Sequence, residues 1–211
     1  MPFRPRLLPL LLLPLVLASV PGGARAAVED YALDPVHTRI VLAVSHAGFS
    51  QALGTVSGSR GQLRFDPDDW HSAQLDVTVP LERTDFGDAA WTRAVQAAGL
   101  LDVQRHPQAR FVSTGIEPVD ARHARVHGTL TLHGVSREVV LDVAFNQLKR
   151  HPLPPFRRTA GFSATATLSR AAFGIKAWPS LIGDEVQLRI EAEAVRDRVP
   201  LSSSTTRETT P

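Results

Sequence analysis

Val186-Gln187-Leu188-Arg189-Ile190-Glu191-Ala192-Glu193-Ala194 alternates apolar and polar residues without a break. A period of two puts one side-chain set on each face of a strand. The pattern recurs through the chain. It holds in Phe162-Ser163-Ala164-Thr165-Ala166-Thr167-Leu168, in Val126-His127-Gly128-Thr129-Leu130-Thr131-Leu132 and in Ala73-Gln74-Leu75-Asp76-Val77-Thr78-Val79. Gly61-Gln62-Leu63-Arg64-Phe65 repeats it, and Val139, Leu141, Val143 and Phe145 form a row opposite Glu138 and Asp142. Ile40, Leu42 and Val44 give a seventh row, with Val41 and Ala43 making its other face apolar too; residues 109–113 give a weaker eighth.

Eight strands with one dry and one wet face predict an all-β, eight-stranded antiparallel sheet. Closing it into a barrel removes the unpaired edges. His133-Gly134-Val135-Ser136 is the expected tight hairpin turn, its glycine supplying positive φ. One segment breaks the period. Trp91, Ala94, Val95, Ala98 and Leu101 are helically spaced within 88–101, with Asp88 placed to cap the start and Gly99 to end or kink the last turn. This predicts a single helix on the barrel or across one mouth. Residues 147–159, with three prolines and several basic side chains, read as a loop.

The ends of the chain differ from its middle. Arg4 and Arg6 precede an apolar run, 7–20, that holds Pro9 and Pro14 and leads to Ala24-Arg25-Ala26. These are the three parts of a secretory signal peptide, 1–26, with cleavage expected after Ala26. The run is too short for a span of about 20 residues, and Pro5 splits the arginine pair of a twin-Arg signal. The barrel domain is then 27–199, and the Ser/Thr-rich 200–211 reads as a disordered tail. Export without a single cysteine fits a Gram-negative periplasm.

Composition excludes several classes. Zero cysteine removes disulfides, thiolate nucleophiles and cysteine-based metal or haem sites. Removing Arg4, Arg6 and Arg25 with the leader leaves 20 basic against 21 acidic residues. A near-neutral protein has no general pull on phosphate backbones, so nucleic acid is not an expected partner. No Gly-x-Ser-x-Gly elbow, phosphate loop or dinucleotide fingerprint occurs. The expectation is a non-enzyme without a cofactor. None of the eight histidines shows metal-ligand spacing; His37 and His46 lie near the ends of one strand, and His127 and His133 share an outward face. No metal site is expected.

The inner rows mix large residues (Phe65, Leu75, Phe111, Leu130, Phe145, Phe162) with small ones (Ala73, Gly128, Ala164, Ala166, Ala192, Ala194). An eight-stranded barrel either fills its interior or holds one small ligand. A meshed solid core and an apolar tunnel both fit this mixture.

Five markers in order resemble the YceI-like family of exported polyisoprenoid-binding proteins. They are Asp34-Pro35-Val36-His37-Thr38 continuing to His46-Ala47-Gly48-Phe49-Ser50; Gly61-Gln62-Leu63-Arg64-Phe65-Asp66; Leu101-Asp102-Val103 through Phe111; Gly128 through Val135; and Arg170-Ala171-Ala172-Phe173-Gly174-Ile175. The segment Thr84-Asp85-Phe86-Gly87-Asp88-Ala89-Ala90-Trp91 lacks the family's Arg-Asp-x-His cluster.

The resemblance implies a lipocalin-like barrel holding an isoprenoid lipid, a polyprenyl phosphate or a prenylated quinone, in its lumen. The lumen positions expected to touch it are Ile40, Leu42, Val44, Phe65, Leu75, Val77, Phe111 and Leu130. Phe145, Phe162, Ala164, Ala166 and Leu188 complete the row. Trp91 and Trp178 are candidates to line an exit for the tail, because a barrel about 25 Å tall is shorter than a long prenyl chain. Arg170 is the candidate to read a head group with its planar fork, or else to pair with a barrel carboxylate. Lys149, Arg150, Arg157 and Arg158 are candidates for contact with the inner membrane during lipid exchange. A second reading is a stress or scaffold protein with a filled barrel, acting through a membrane protein such as a cytochrome.

Overall fold

The structure is a computed structural model and describes residues 28–197. The leader, its cleavage site and the tail expected at 200–211 lie outside the described residues. The strands are β1 (Glu29–Leu33), β2 (Arg39–His46), β3 (Ser50–Ser57), β4 (Arg60–Phe65), β5 (Gln74–Pro80), β6 (Thr84–Asp85), β7 (Gln108–Pro118), β8 (His123–Leu132), β9 (Val135–Arg150), β10 (Arg158–Ser169) and β11 (Ile182–Arg196). The helix, α1 (Ala89–Gln96), lies between β6 and β7.

All pairings are antiparallel, in the order β1-β4-β5-β7-β8-β9-β10-β11, and β1 returns to β11 to close the ring. β2 pairs with the earlier part of β11, through Ile40↔Ile190 and His46↔Ile182, while β1 pairs with its end, through Leu33↔Ala194. β1 and β2 are therefore two halves of one barrel strand. β3 and β4 are two halves of the next, and β6 extends the line of β5. Counted this way the barrel has eight strands in simple up-and-down order.

The breaks have local causes. Between β1 and β2, Asp34 Oδ1 accepts from the Val36 N–H at 2.7 Å and the His37 N–H at 3.2 Å, and Pro35 has no N–H for the ladder. Between β3 and β4, Gly58 takes φ +78°, and a Cβ there would fall 2.7 Å from Arg83 Cδ.

β1, β3 and β6 are additions to the eight rows read from the sequence. β3 presents Ala52, Gly54 and Val56 inward and leaves Leu53 exposed, so its apolar signal is inverted. The segment 147–159 is not all loop. β9 runs on to Arg150, β10 starts at Arg158, and Thr159 pairs with Lys149. Inward Leu148 packs into the core and carries the ladder past its polar neighbours. The helix is also shorter than its pattern. Asp88 caps it as expected, accepting from the Trp91 N–H at 2.8 Å, but it ends at Gln96, before Gly99. His133 and Gly134, at φ +53° and +75°, form the two-residue turn between β8 and β9.

Strand direction sorts the loops into two ends. The tip 47–49, α1, the turn 133–134 and the segment 170–181 lie at one end. Residues 66–73, 119–122 and 151–157 lie at the other. That second end is a floor of aromatic rings. Phe65 meets Trp70 and Phe162 edge-on at 5.4 Å, and Trp70 meets Phe145 at 5.8 Å. Fully buried Tyr31 packs into the same cluster. Burial, reinforced by its hydrogen bond to Glu29, holds the Tyr31 phenol well above its ordinary range. Glu29 also receives Arg158 at 3.2 Å and Arg196 at 3.1 Å, tying β1, β10 and β11 together at the seam.

Candidate functional site

Above the aromatic floor the barrel is hollow. A cavity of about 470 Å³ runs toward the opposite end, within the range of small-molecule sites. The floor is a meshed core and the space above it is not, so each alternative left by the inner rows describes one part of the barrel.

The walls carry Ile40, Leu42 and Val44 from β2, Phe65, Leu75 and Val77 from β4 and β5, and Phe111 and Leu130 from β7 and β8. Phe162, Ala164 and Leu188 line the far side. Two expected lumen residues do not line it. Phe145 is held in the floor against Phe65, Trp70 and Phe162. Ala166 is too short to reach the space and is buried among Phe111, Val126 and Leu141.

α1 forms the lid. Trp91, Ala94 and Val95 face the cavity, followed by Leu100 and Leu101. The helix has an apolar face but no buried residue, because that face looks onto the cavity and not onto a packed wall. Side chains other than an Arg-Asp-x-His cluster hold it. The Trp91 ring lies 5.6 Å from His46 and 5.8 Å from Phe86. Phe86 in turn fills the place where a Cβ on Gly54 would sit, 2.8 Å away. Gln96 Nε2 donates to the carbonyls of Glu82 at 3.0 Å and Thr84 at 3.2 Å. Trp178 lines the cavity at this mouth while remaining 53% exposed. Leu181 follows in the same segment, and Phe49, on the β2–β3 tip at the same end, is 92% exposed.

Arg170 does not present its fork to a ligand. Its Nε donates to Gly183 O at 2.8 Å, Nη1 to Ile175 O at 2.8 Å and Ala177 O at 2.9 Å, and Nη2 to Ile182 O at 2.8 Å. It is a brace for the mouth segment. Its hydrogen-bond partners are carbonyls, so pairing with a barrel carboxylate is not its role either. The basic cluster lies at the end opposite the lid. Lys149, Arg150, Arg157 and Arg158 lie at the floor end, and Arg158 is engaged with Glu29.

Two lining residues with unpartnered buried hydroxyls were not read from the sequence. Ser59 and Thr84 are 1% and 3% exposed, and neither hydroxyl has a hydrogen-bond partner. Both sit at the strand breaks, between β3 and β4 and at the start of β6, which carry no alternation signal. A buried hydroxyl without a partner is costly, and a ligand oxygen would satisfy it. Two histidines sit at strand ends, as the sequence suggested. His37 hydrogen-bonds Asp34 at 2.8 Å beside the β1–β2 break, and His133 occupies the expected β8–β9 turn and so does not share an outward strand face with His127.

The YceI-like domain matches residues 31–194. A UPF0312 protein of Pseudomonas savastanoi pv. phaseolicola is 31% identical over 179 residues, 84% of this chain and 92% of its own. One from Ectopseudomonas mendocina is 30% identical over 184 residues, 86% and 95% respectively. Burkholderia cenocepacia BcnA superposes with a TM-score of 0.68 at 25% identity, over 76% of this chain and 98% of its own. A polyisoprenoid binding domain from Saccharophagus degradans superposes at 0.60 with 14% identity, over 79% and 98%, which is a likeness of fold. The domain match spans nearly all of the described residues and the relatives cover more than four-fifths of the chain at 30% identity or better: it belongs to the YceI-like family.

Proposed function

We propose that this protein is a non-catalytic periplasmic carrier that holds the tail of an isoprenoid lipid in the barrel lumen. The observation that carries this reading is the apolar cavity, closed below by aromatic rings and covered above by a helix whose apolar face is otherwise unused. Burying hydrocarbon gains about 0.8 kcal/mol per CH₂, so each five-carbon isoprene unit contributes roughly 3–4 kcal/mol. The polyisoprenoid binding domain that shares the fold supports the ligand class.

The polar lining favours a head group without charge. Ser59 and Thr84 offer hydroxyls, while Arg170, the one arginine on the cavity wall among the described residues, directs its donors to carbonyls. Apart from His46, beside the Trp91 ring of the lid, the described lining offers a phosphate no cationic side chain with free donors, and burying an unpaired charge is expensive. A prenylated quinone fits better than a polyprenyl phosphate. Loading is assigned to the lid end, where Phe49, Trp178 and Leu181 present exposed apolar side chains to a membrane. The hollow lumen favours this reading over that of a filled-barrel scaffold.

Ala164→Phe tests the proposal, because Ala164 lines the cavity. Protein is incubated with phosphatidylcholine vesicles containing a prenylated quinone, separated by gel filtration and extracted. The variant retains at least about fivefold less quinone than wild type while its far-ultraviolet spectrum is unchanged, since added bulk costs about 1–3 kcal/mol. Equal uptake by wild type and variant overturns the assignment.

A further inference from the structure

Asp102, His106 and His133 come together at the mouth, each placing one ligand atom within 4.8 Å of the others. Asp102 and His106 belong to the segment that follows the lid helix, and His133 to the β8–β9 turn. Asp102 is 4% exposed. His133 Nε2 is buried without a hydrogen-bond partner. The two imidazole rings lie 4.7 Å apart, centroid to centroid, with no hydrogen bond between them. Gly134 makes the room for this, since a Cβ there would fall 2.9 Å from His106 Cε1.

We propose that these three residues form a site for a divalent metal ion of the zinc, copper and nickel class. Two imidazoles and one carboxylate are a ligand set that such ions take, with an open position for water. A tetrahedral zinc site has ligand atoms about 3.3 Å apart, so the three side chains close in by rotamer adjustment without a change of fold. Arg105 Nε holds Asp102 Oδ2 at 2.5 Å, but its side chain is three-quarters exposed and free to swing into solvent. The ion would then replace one cation on the carboxylate by another. A bound ion would pin the segment leading out of the lid to the β8–β9 hairpin, making lid stability depend on metal.

The test is calorimetric titration of the untagged, chelator-treated whole protein with zinc chloride, followed by cobalt chloride with visible spectroscopy. One zinc ion binds per chain, and cobalt gives the intense absorption of a tetrahedral site. His106→Gln and His133→Gln each weaken zinc at least about tenfold. His37→Gln, at the more exposed group with Asp34 and Glu193, leaves it unchanged. Arg105→Ala strengthens binding, an effect that damaged folding would not produce. Absence of stoichiometric binding, or binding that His106→Gln and His133→Gln do not weaken, overturns the proposal.

Discussion

Phe111 occupies the space that a side chain at position 128 would need: a Cβ built on Gly128 comes within 2.3 Å of Phe111 Cζ and 2.6 Å of the Val112 carbonyl oxygen. The two strands β7 and β8 are thus packed for a bare backbone opposite a ring. Gly128→Ala is expected to destabilise the barrel by about 1–3 kcal/mol, read from the urea midpoint. Adding Phe111→Leu should recover part of that loss, because the two changes share one space. Independent, additive effects would show that the ring and the glycine do not oppose each other.

Thr84 makes a prediction of opposite sign. Its hydroxyl is buried at the cavity wall without a partner. Thr84→Val keeps the shape and removes the unsatisfied group, so the lipid-free protein should gain about 1 kcal/mol. The same change should weaken quinone retention several-fold. A variant that is less stable than wild type and retains quinone normally would contradict the assignment of this hydroxyl to a ligand.

Arg170 separates bracing from head-group reading. Arg170→Met leaves the carbonyls of Ile175, Ala177, Ile182 and Gly183 without their donor, and should cost at least about 2 kcal/mol in thermal or urea unfolding. If the variant unfolds like wild type yet discriminates phosphate-headed from neutral lipids differently, Arg170 touches the ligand after all.

Acid should weaken the barrel. Hydrogen bonds hold several carboxyls below their ordinary range: Arg110 on Asp76, the Arg122 N–H on Asp120, Ser169 on Asp184 and Ser163 on Glu191. For Asp34, burial pushes upward, but the His37 side chain and the N–H groups of Val36 and His37 outweigh it. A depressed folded-state value means stability that is complete above the unfolded value of about 4 and is lost as pH falls through the folded values. His37 is shifted upward, chiefly by its hydrogen bond to Asp34, so its contribution is present below about 6.5 and fades as pH rises. It is exposed, and the carboxyls dominate. Tm should hold from neutral pH to about 5 and drop below about 4; a Tm that rises on acidification would contradict this.

How far the sequence could be read follows from what each residue signals. β4, β5 and β8 to β11 announce themselves, because apolar or small side chains alternate with polar or charged ones. β3 does not, since the barrel needs Ala52 and Gly54 inward beside Phe86, and Leu53 faces outward. The lumen residues followed from parity, except where reach decides, as for Ala166. Arg170 was recognisable as inward, yet its partners are backbone carbonyls, which no residue type reveals. Asp102, His106 and His133 become neighbours only when the β8–β9 turn closes against the segment after α1. Their spacing along the chain carries no trace of that.

The central claim is that the cavity carries an isoprenoid lipid. Native mass spectrometry of the protein expressed from its full sequence in a Gram-negative host, purified without detergent and then exposed to quinone-containing vesicles, tests it most directly. The account predicts one prenylated lipid per chain, retained from the host or taken up from the vesicles and identified by solvent extraction. A mass that stays that of the bare polypeptide after exposure to both prenylated quinone and polyprenyl phosphate would contradict it.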